Sequence, residues 1–236
     1  MAHLNGHLLW HKYVEPLYQA GNQVLEIGPA GYPTYYEKTL KEKGLRLSYQ
    51  VLDVRNDFIS GAEENPHFIL SANELHYPFE DDCFDIVFSD QVLPYVGSFW
   101  LWYDELKRIT KPGGYIITIT AYSYPICPSP LDYWRVHAEG MKELNQQGSL
   151  ETILCKTESL ELAEYGIPQK TGYYFAGASI KDPNGGREVL RANLIKRNWN
   201  RIVGNIPKLR ALLLNPVQVS FDTITIARVK QSQANP

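Results

Sequence analysis

The ten residues Asn22 to Gly31, N-Q-V-L-E-I-G-P-A-G, decide the fold. The apolar run Val24 to Ile27 is typical of a strand that is buried on both faces, and the residues Gly28-Pro29-Ala30-Gly31 end it in a tight turn. Glycine tolerates positive φ and lets a ligand approach the backbone, whereas proline removes an N–H donor and stiffens the turn. The stretch therefore predicts a strand followed by a loop that suits a bound small molecule.

The next residues predict a helix and a second strand. The helix covers Thr34 to Lys43 and stops at Gly44, and the strand covers Leu45 to Val54 with Asp53 near its end. A carboxylate about 20 or more residues beyond such a turn commonly hydrogen-bonds ribose hydroxyls, because it lies at the end of the neighbouring strand. We therefore expect a ligand that carries a ribose.

The glycine pattern restricts the class of ribose ligand. A dinucleotide site favours G-x-G-x-x-G, but Ala30 stands at the second glycine position and no third glycine follows at the required offset. Glu26 lies two residues before Gly28, and its charge would repel a diphosphate and attract a cation. A nicotinamide-dependent dehydrogenase is therefore disfavoured.

The segment V-L-E-I-G-P-A-G resembles the first motif of the class I S-adenosylmethionine-dependent methyltransferases. The resemblance implies S-adenosylmethionine as cofactor and S-adenosylhomocysteine as product. It places Glu26 beside the amino-acid end of the cofactor and Asp53 on the ribose. The implied contacts in this part of the chain are Glu26, Gly28, Pro29, Ala30, Asp53 and Val54.

Two further segments match the same family. Ser71 to Phe79 resembles its adenine-binding segment, with Ala72, Asn73 and Glu74 as the implied contacts. The strand Phe84 to Phe88, F-D-I-V-F, resembles the fourth strand of the family. The loop predicted after it contains Ser89, Asp90 and Gln91, which are expected near the reacting methyl group, since ligands bind beyond the carboxyl ends of parallel strands.

A helix over Phe99 to Thr110 is predicted, followed by Lys111-Pro112-Gly113-Gly114 and the strand Tyr115 to Thr120. The helix is expected to turn Leu101, Trp102, Leu106 and Ile109 inward. Together with the earlier motifs, this order implies an α/β, Rossmann-like methyltransferase fold. Its sheet is expected to be mostly parallel and seven-stranded, with helices on both faces and an insertion before the last strand.

One domain is expected to span residues 1–236, since two full domains would be cramped in this length. The periodicity of residues 1–20 predicts an amphipathic helix, which the resemblance identifies as a lid. The cofactor-binding core is assigned to 21–165. The rest comprises an insertion at 166–215 that would cap the substrate, the last strand at 216–230 and a polar tail at 231–236. Within the insertion, a basic helix is predicted over Glu188 to Ile206.

The segment Asp132 to Arg135, D-Y-W-R, resembles part of a subset of small-molecule and sugar methyltransferases, where it opens the helix before strand six. It is expected to border the acceptor. Trp134 could stack on a ring and Arg135 could pair with an acid; alternatively both only brace the loop, with Arg135 paired to Asp132. The residues assigned to the acceptor are Tyr95, Tyr122, Tyr133, Trp134 and Arg135.

A hydroxyl acceptor requires a base to remove its proton. The candidates by side-chain chemistry are His137, His76, His11 and Asp90, of which His137 lies nearest the acceptor segment; His137 and Asp90 are assigned as catalytic. His3, His7 and His11 recur at helical spacing, but no acid or cysteine completes a metal site, so no metal is assigned.

The overall composition narrows the partners. A formal charge of −3 argues against a nucleic-acid partner, and three scattered cysteines fit a reducing cytoplasm. No apolar run is long enough to cross a bilayer, so no membrane partner is expected. A homo-oligomer is left open.

We expect a methyltransferase of a small molecule, acting on an oxygen of a sugar or natural product. The alternatives are an N- or C-methyltransferase and a catalytically inactive, cofactor-binding subunit that steadies a partner. An RNA methyltransferase is less favoured, because it usually shows a wider basic surface.

Overall fold

A computed structural model describes residues 4–29, 31–53, 75–124, 126, 131–161 and 221–231, and the backbone of 67–69. All of these residues belong to one compact unit. The predicted insertion at 166–215 and its basic helix lie outside the described residues, as does the tail from residue 232 onward.

A seven-stranded sheet organises the described residues, in the order β3-β2-β1-β4-β5-β7-β6. The first five strands in the chain run parallel, and β7 is antiparallel to both of its neighbours. This confirms the mostly parallel, seven-stranded sheet. The strands are β1 Gln23–Ile27, β2 Ser48–Asp53, β3 His67–Ile69, β4 Phe84–Asp90, β5 Thr110–Ser123, β6 Glu151–Glu158 and β7 Phe221–Arg228.

The apolar run in β1 is buried because helices cover both faces of the sheet. Leu25 and Ile27 pack in one apolar cluster, whereas Val24 packs in the other. The first cluster includes Trp102 of α3 (Phe99–Ile109) and Met141 of α4 (Ala138–Gln147). The second includes the N-terminal segment and α2 (Tyr35–Glu42). Each fully buried aliphatic side chain contributes about 1.5–3 kcal/mol.

Helix α2 begins as the sequence predicts. Thr34 is its N-cap, and the Thr34 hydroxyl accepts a hydrogen bond from the backbone N–H of Glu37 at 3.0 Å. Threonine followed three residues later by glutamate is the capping-box pattern, which satisfies backbone N–H groups that have no partner within the helix. The cap fixes the point at which the chain leaves the loop after β1.

The inward face predicted for α3 is partly wrong. Trp102, Leu106 and Ile109 are buried, but Leu101 is 50% exposed. Residues three and four apart share a helix face, so positions 102, 106 and 109 point inward together while 101 lies to one side. Tyr103 is buried instead, and its hydroxyl donates a hydrogen bond of 2.9 Å to Asn145 Oδ1.

The N-terminal helix is divided into three short pieces. An α-helix, α1 (Leu4–Leu9), continues into a π-helix at Trp10–Val14 and a 3₁₀ turn at Glu15–Leu17. Pro16 has no N–H donor and its ring clashes with the preceding turn, so one regular α-helix cannot continue to Ala20. In the part of the chain that the structure describes, no helix has both the length and the hydrophobicity needed to cross a bilayer.

Candidate functional site

Three predicted site residues lie side by side at the carboxyl edge of the sheet. Ile27 of β1 pairs with Leu52 of β2 on one side and with Ser89 of β4 on the other. The next residue of each strand is therefore Gly28, Asp53 or Asp90. The strand order reverses between β1 and β4, and open parallel sheets bind ligands in the crevice at such a reversal.

Both the backbone conformation at position 28 and the neighbouring side chain of Val92 require a glycine there. Its φ is +67°, in the left-handed region, and its N–H donates to the Leu52 carbonyl at 2.8 Å. A Cβ on Gly28 would lie 2.5 Å from Cγ2 of Val92, in the loop after β4. Any larger residue would be strained and would displace that loop. Gly28 thus lets the turn, next to buried Pro29, pack directly against Val92.

Glu26 is buried beneath the turn. The Tyr49 hydroxyl donates to Glu26 Oε2 at 2.6 Å. Burial raises the pKa of Glu26 to about 7, because removal from water disfavours the charged carboxylate, although the hydrogen bond from Tyr49 opposes the shift. The neighbouring Asp90 carboxylate raises it further. Glu26 can therefore hold or release a proton near neutral pH.

Ser89 and Asp90 were expected in a loop, but they form the last two residues of β4. Their strand continues because Ser89 pairs with Thr118 and Asp90 with Ile119 of β5. The Tyr36 hydroxyl donates to Asp90 Oδ2, and a Cβ on Gly6 would lie 2.8 Å from the same oxygen. Asp90 is thus packed between α1 and α2 instead of lying in an exposed loop.

Gln91 is the first residue beyond β4 and has a strained backbone. Its φ is +60°, which is uncommon outside glycine and costs about 1 kcal/mol or more. Two hydrogen bonds hold it: its backbone N–H donates to Ile119 O at 2.8 Å, and its side-chain Nε2 donates to Asp222 Oδ1 at 2.9 Å. The strain is concentrated where the chain turns over the crevice.

Asp222 connects this turn to α1. The Asn5 side chain, fully buried, donates to Asp222 Oδ2 at 2.6 Å and accepts from the backbone N–H of Leu160 at 2.7 Å. The backbone N–H of Asn5 donates to Glu161 at 2.8 Å. The N-terminal helix is therefore fastened across the carboxyl ends of β4 and β6 and the amino end of the antiparallel strand β7.

The segment Leu75 to Phe79, expected near the adenine, is anchored to α3. Glu105 accepts from the backbone N–H of Tyr77 at 2.6 Å, and Arg108 donates to the carbonyl of Phe79 at 2.8 Å. Arg108 also forms a two-point ion pair with Glu105. The expected cofactor contacts Ala30, Val54, Ala72, Asn73 and Glu74 lie outside the described residues.

Glu105→Gln is expected to lower the free energy of unfolding by about 1–2 kcal/mol, because the amide can still accept from Tyr77 but loses its charge-assisted bond with Arg108. Chemical denaturation measures the change. Glu143→Gln on the exposed face of α4 is the control and should be neutral. Equal stability of the two variants would contradict the anchoring role.

Four of the five residues assigned to the acceptor lie on two neighbouring segments. Trp134 Nε1 donates to the Val96 and Gly97 carbonyls at 3.0 and 3.1 Å, and Arg135 forms a two-point ion pair with Asp132. Both contacts brace the loop, as the alternative interpretation held. Tyr133 is exposed, and its backbone N–H donates to Pro94 O at 2.7 Å, next to Tyr95.

His137 and Tyr122 form a second pair of expected residues. Tyr122 lies beyond the predicted strand Tyr115 to Thr120, but it belongs to the end of β5. Its ring lies 4.8 Å from the imidazole of His137, which is exposed at the N-cap of α4. The other histidine candidates differ: His11 lies between Glu15 at 2.6 Å and the Tyr35 hydroxyl at 2.7 Å, and exposed His76 lies 3.5 Å from Glu105.

Several residues that shape the site were not singled out from the sequence. They are Asn5, Tyr36, Tyr49 and Asp222, which are buried or half-buried and bond to the predicted residues. No motif marks them, since they come from four separate elements. The feature that these four residues share in the sequence is a polar group beside or within a predicted apolar pattern. In the described ranges, no cluster of histidine, cysteine, aspartate and glutamate could hold a metal ion.

Part of the chain is similar to known methyltransferases. A family model described as "Methyltransferase domain" matches residues 25–118. A probable phthiotriol/phenolphthiotriol dimycocerosates methyltransferase 2 of Mycobacterium ulcerans is 29% identical over 120 residues, which cover 48% of this chain and 44% of that protein. The chain thus spans less than half the length of that relative.

Two longer matches have lower identity. The 27-O-demethylrifamycin SV methyltransferase of Amycolatopsis mediterranei is 20% identical over 223 residues, covering 92% of this chain and 74% of that protein. Among solved structures, a SAM-dependent methyltransferase from Archaeoglobus fulgidus aligns with a TM-score of 0.56 at 19% identity. That alignment covers 94% of this chain and 91% of the other.

Proposed function

We propose that the chain is a class I S-adenosylmethionine-dependent methyltransferase and that it methylates a small molecule, on a hydroxyl oxygen of a sugar or natural product. The observation that carries the proposal is the row of Gly28, Asp53 and Asp90 at the strand-order reversal. This is the place where an open α/β sheet binds its ligand.

The residues present fit S-adenosylmethionine. The turn at Gly28 carries no side chain, and the acids at the crevice are Glu26, Asp53 and Asp90. Carboxylates accept hydrogen bonds from ribose hydroxyls and from an ammonium group, and they attract a cation. The same acids would repel a pyrophosphate. Glu26 and Asp90 would face the cationic part of the cofactor and Asp53 its ribose.

The bound cofactor would supply an activated methyl group, so the chain's own task is positioning and proton removal. Gln91, held by Ile119 and Asp222, fixes the loop at the methyl end of the crevice. His137 is assigned as the base that accepts the hydroxyl proton of the acceptor, because it is exposed beside Tyr122 on the acceptor side. The fastened N-terminal helix keeps water from Asp90.

The similar proteins indicate which class of acceptor to expect. Two relatives are a probable phthiotriol/phenolphthiotriol dimycocerosates methyltransferase and a 27-O-demethylrifamycin SV methyltransferase. Small-molecule hydroxyl methylation is therefore preferred to methylation of a nucleic acid, in agreement with the formal charge of −3.

Isothermal titration tests the cofactor. S-adenosylmethionine is expected to bind with a micromolar Kd, and NAD is expected to bind at least about tenfold more weakly, because the acidic crevice repels its pyrophosphate. S-adenosylhomocysteine serves as the product control and should compete with S-adenosylmethionine. Tighter binding of NAD would overturn the proposal.

A further inference from the structure

The large apolar side chains that the fold leaves in water are concentrated on two segments. Trp100 is 45% exposed at the start of α3, and Tyr133 is 50% exposed before α4. Monomeric proteins seldom leave large aromatic side chains clustered in water without a binding role. Other exposed apolar side chains on the same two segments are Leu101, Tyr124, Ile126 and Leu131.

Ring contacts join the two segments into one surface. The Trp134 ring lies 5.4 Å from Phe99 and 6.0 Å from Trp100. Tyr133 directly precedes Trp134 in the sequence, and its backbone N–H donates to the Pro94 carbonyl at 2.7 Å. We name Phe99, Trp100, Tyr133 and Trp134 the aromatic patch. Its half-buried members anchor it to the core, and its exposed members, Trp100 and Tyr133, face solvent.

The patch is continuous with the candidate site. Trp134 and Tyr133 are bonded to the loop over residues 94–97, which is the direct continuation of Gln91 and Val92. Val92 lies against Gly28 at the crevice. A molecule on the aromatic patch would therefore extend toward the end of β4, where the methyl group is expected.

The two charged side chains next to Tyr133 and Trp134 are paired with each other. The Arg135 guanidinium makes two hydrogen bonds to the Asp132 carboxylate, so this ion pair is internally neutral. The exposed groups that remain on the patch are aromatic rings with one hydroxyl and one indole N–H. Such side chains favour a ligand with an apolar body and a few neutral polar groups.

We infer that the aromatic patch is the binding site for the apolar part of an amphiphilic, uncharged acceptor, whose polar end carries the hydroxyl to be methylated. The role as an acceptor site rests on the proposed function. It narrows that function from small molecules in general to amphiphiles with a substantial hydrophobic portion, and it disfavours a free sugar.

The test uses the full chain and n-dodecyl-β-D-maltoside as a neutral amphiphile, below its critical micelle concentration. Isothermal titration is expected to show saturable binding of this probe and no binding of maltose. Trp100→Ser with Tyr133→Ser should weaken the binding at least fivefold. Ile153→Ser removes a comparably exposed apolar side chain, 43% exposed on β6, and should leave it unchanged. Thermal unfolding verifies that both variants are folded.

Three outcomes would overturn the inference: equal binding by the double variant and the wild type, equal binding of maltose and dodecyl maltoside, or binding only to phosphatidylcholine vesicles. The last would indicate a membrane surface instead of a single acceptor molecule. A separate titration with S-adenosylmethionine distinguishes this failure from failure of the proposed function. If the wild-type protein binds the amphiphile saturably but does not bind S-adenosylmethionine, the result would count against methyl transfer. The aromatic patch would then remain an amphiphile-binding site.

Discussion

Replacement of Asp53 by alanine is expected to weaken S-adenosylmethionine binding by about 10- to 100-fold. Asp53 is buried at the end of β2, beside Gly28, where the proposed ribose would lie. Hydrogen bonds to a charged group contribute about 1.5–3 kcal/mol, which corresponds to that range in Kd. Isothermal titration measures the change directly and requires no knowledge of the acceptor.

Asp104→Ala provides the matched control, because Asp104 is an exposed acid on α3. It should bind the cofactor with the wild-type Kd. Asp53→Asn separates charge from shape and should fall between the wild type and alanine, since the amide retains one acceptor oxygen. Unchanged binding by Asp53→Ala, with a normal unfolding midpoint, would remove Asp53 from the cofactor site.

Glu26→Gln is expected to stabilise the ligand-free protein above neutral pH, by on the order of 3 kcal/mol relative to the wild type. Burial raises the pKa of Glu26 from its ordinary value of 4.5 to about 7. Between these two values the folded protein holds a proton that the unfolded chain has released, so the stability of the wild type falls as pH rises. Above about pH 7 the folded protein contains a buried carboxylate.

Glutamine stays neutral and has the shape of the protonated acid, so the variant lacks this decline. Urea denaturation between pH 4.5 and 8 should show nearly equal stabilities at the acid end and a widening difference toward pH 8. Glu42→Gln, at the exposed end of α2, should follow the wild-type curve at every pH. A constant difference between Glu26→Gln and the wild type over this range would contradict the raised pKa.

The two variants probe opposite properties of the same crevice. Glu26→Gln should lose affinity for S-adenosylmethionine while it gains stability, because the charge that is unfavourable in the empty crevice is the one that attracts the cofactor. Acids that bind a cation are commonly costly to bury when the cation is absent. The charge of Glu26 thus lowers the stability of the ligand-free protein and raises its affinity for S-adenosylmethionine.

Local patterns were sufficient to predict the main elements of the described chain. The apolar run and turn at Val24 to Gly31 predicted β1, and the helix predicted from Thr34 corresponds to α2, for which Thr34 is the N-cap. Errors arose at boundaries, as at Ser89 and Asp90, where pairing with β5 extends the strand beyond its apolar run.

The environment of the candidate site could not be predicted from local patterns. Tyr36 reaches Asp90, and Asn5 reaches Asp222, across 54 and 217 residues of sequence. Such bonds depend on which elements become neighbours, and no spacing rule relates them. The bracing of Trp134 and Arg135 was one of two interpretations of the same residues, and their contacts favour it.

The sequence by itself determined the succession of strands and helices along the chain and placed a glycine turn, an acid just before it and a strand-end aspartate within residues 22–53. Each of these follows from local backbone preference and apolar periodicity. The tertiary structure decided the rest. The register of β1 against β2 and β4 aligned Gly28, Asp53 and Asp90 in one row, and burial raised the pKa of Glu26. The packing of α3 against the segment before α4 brought the aromatic rings together. Alignment, desolvation and packing depend on distances between elements remote in sequence, and folding alone sets those distances.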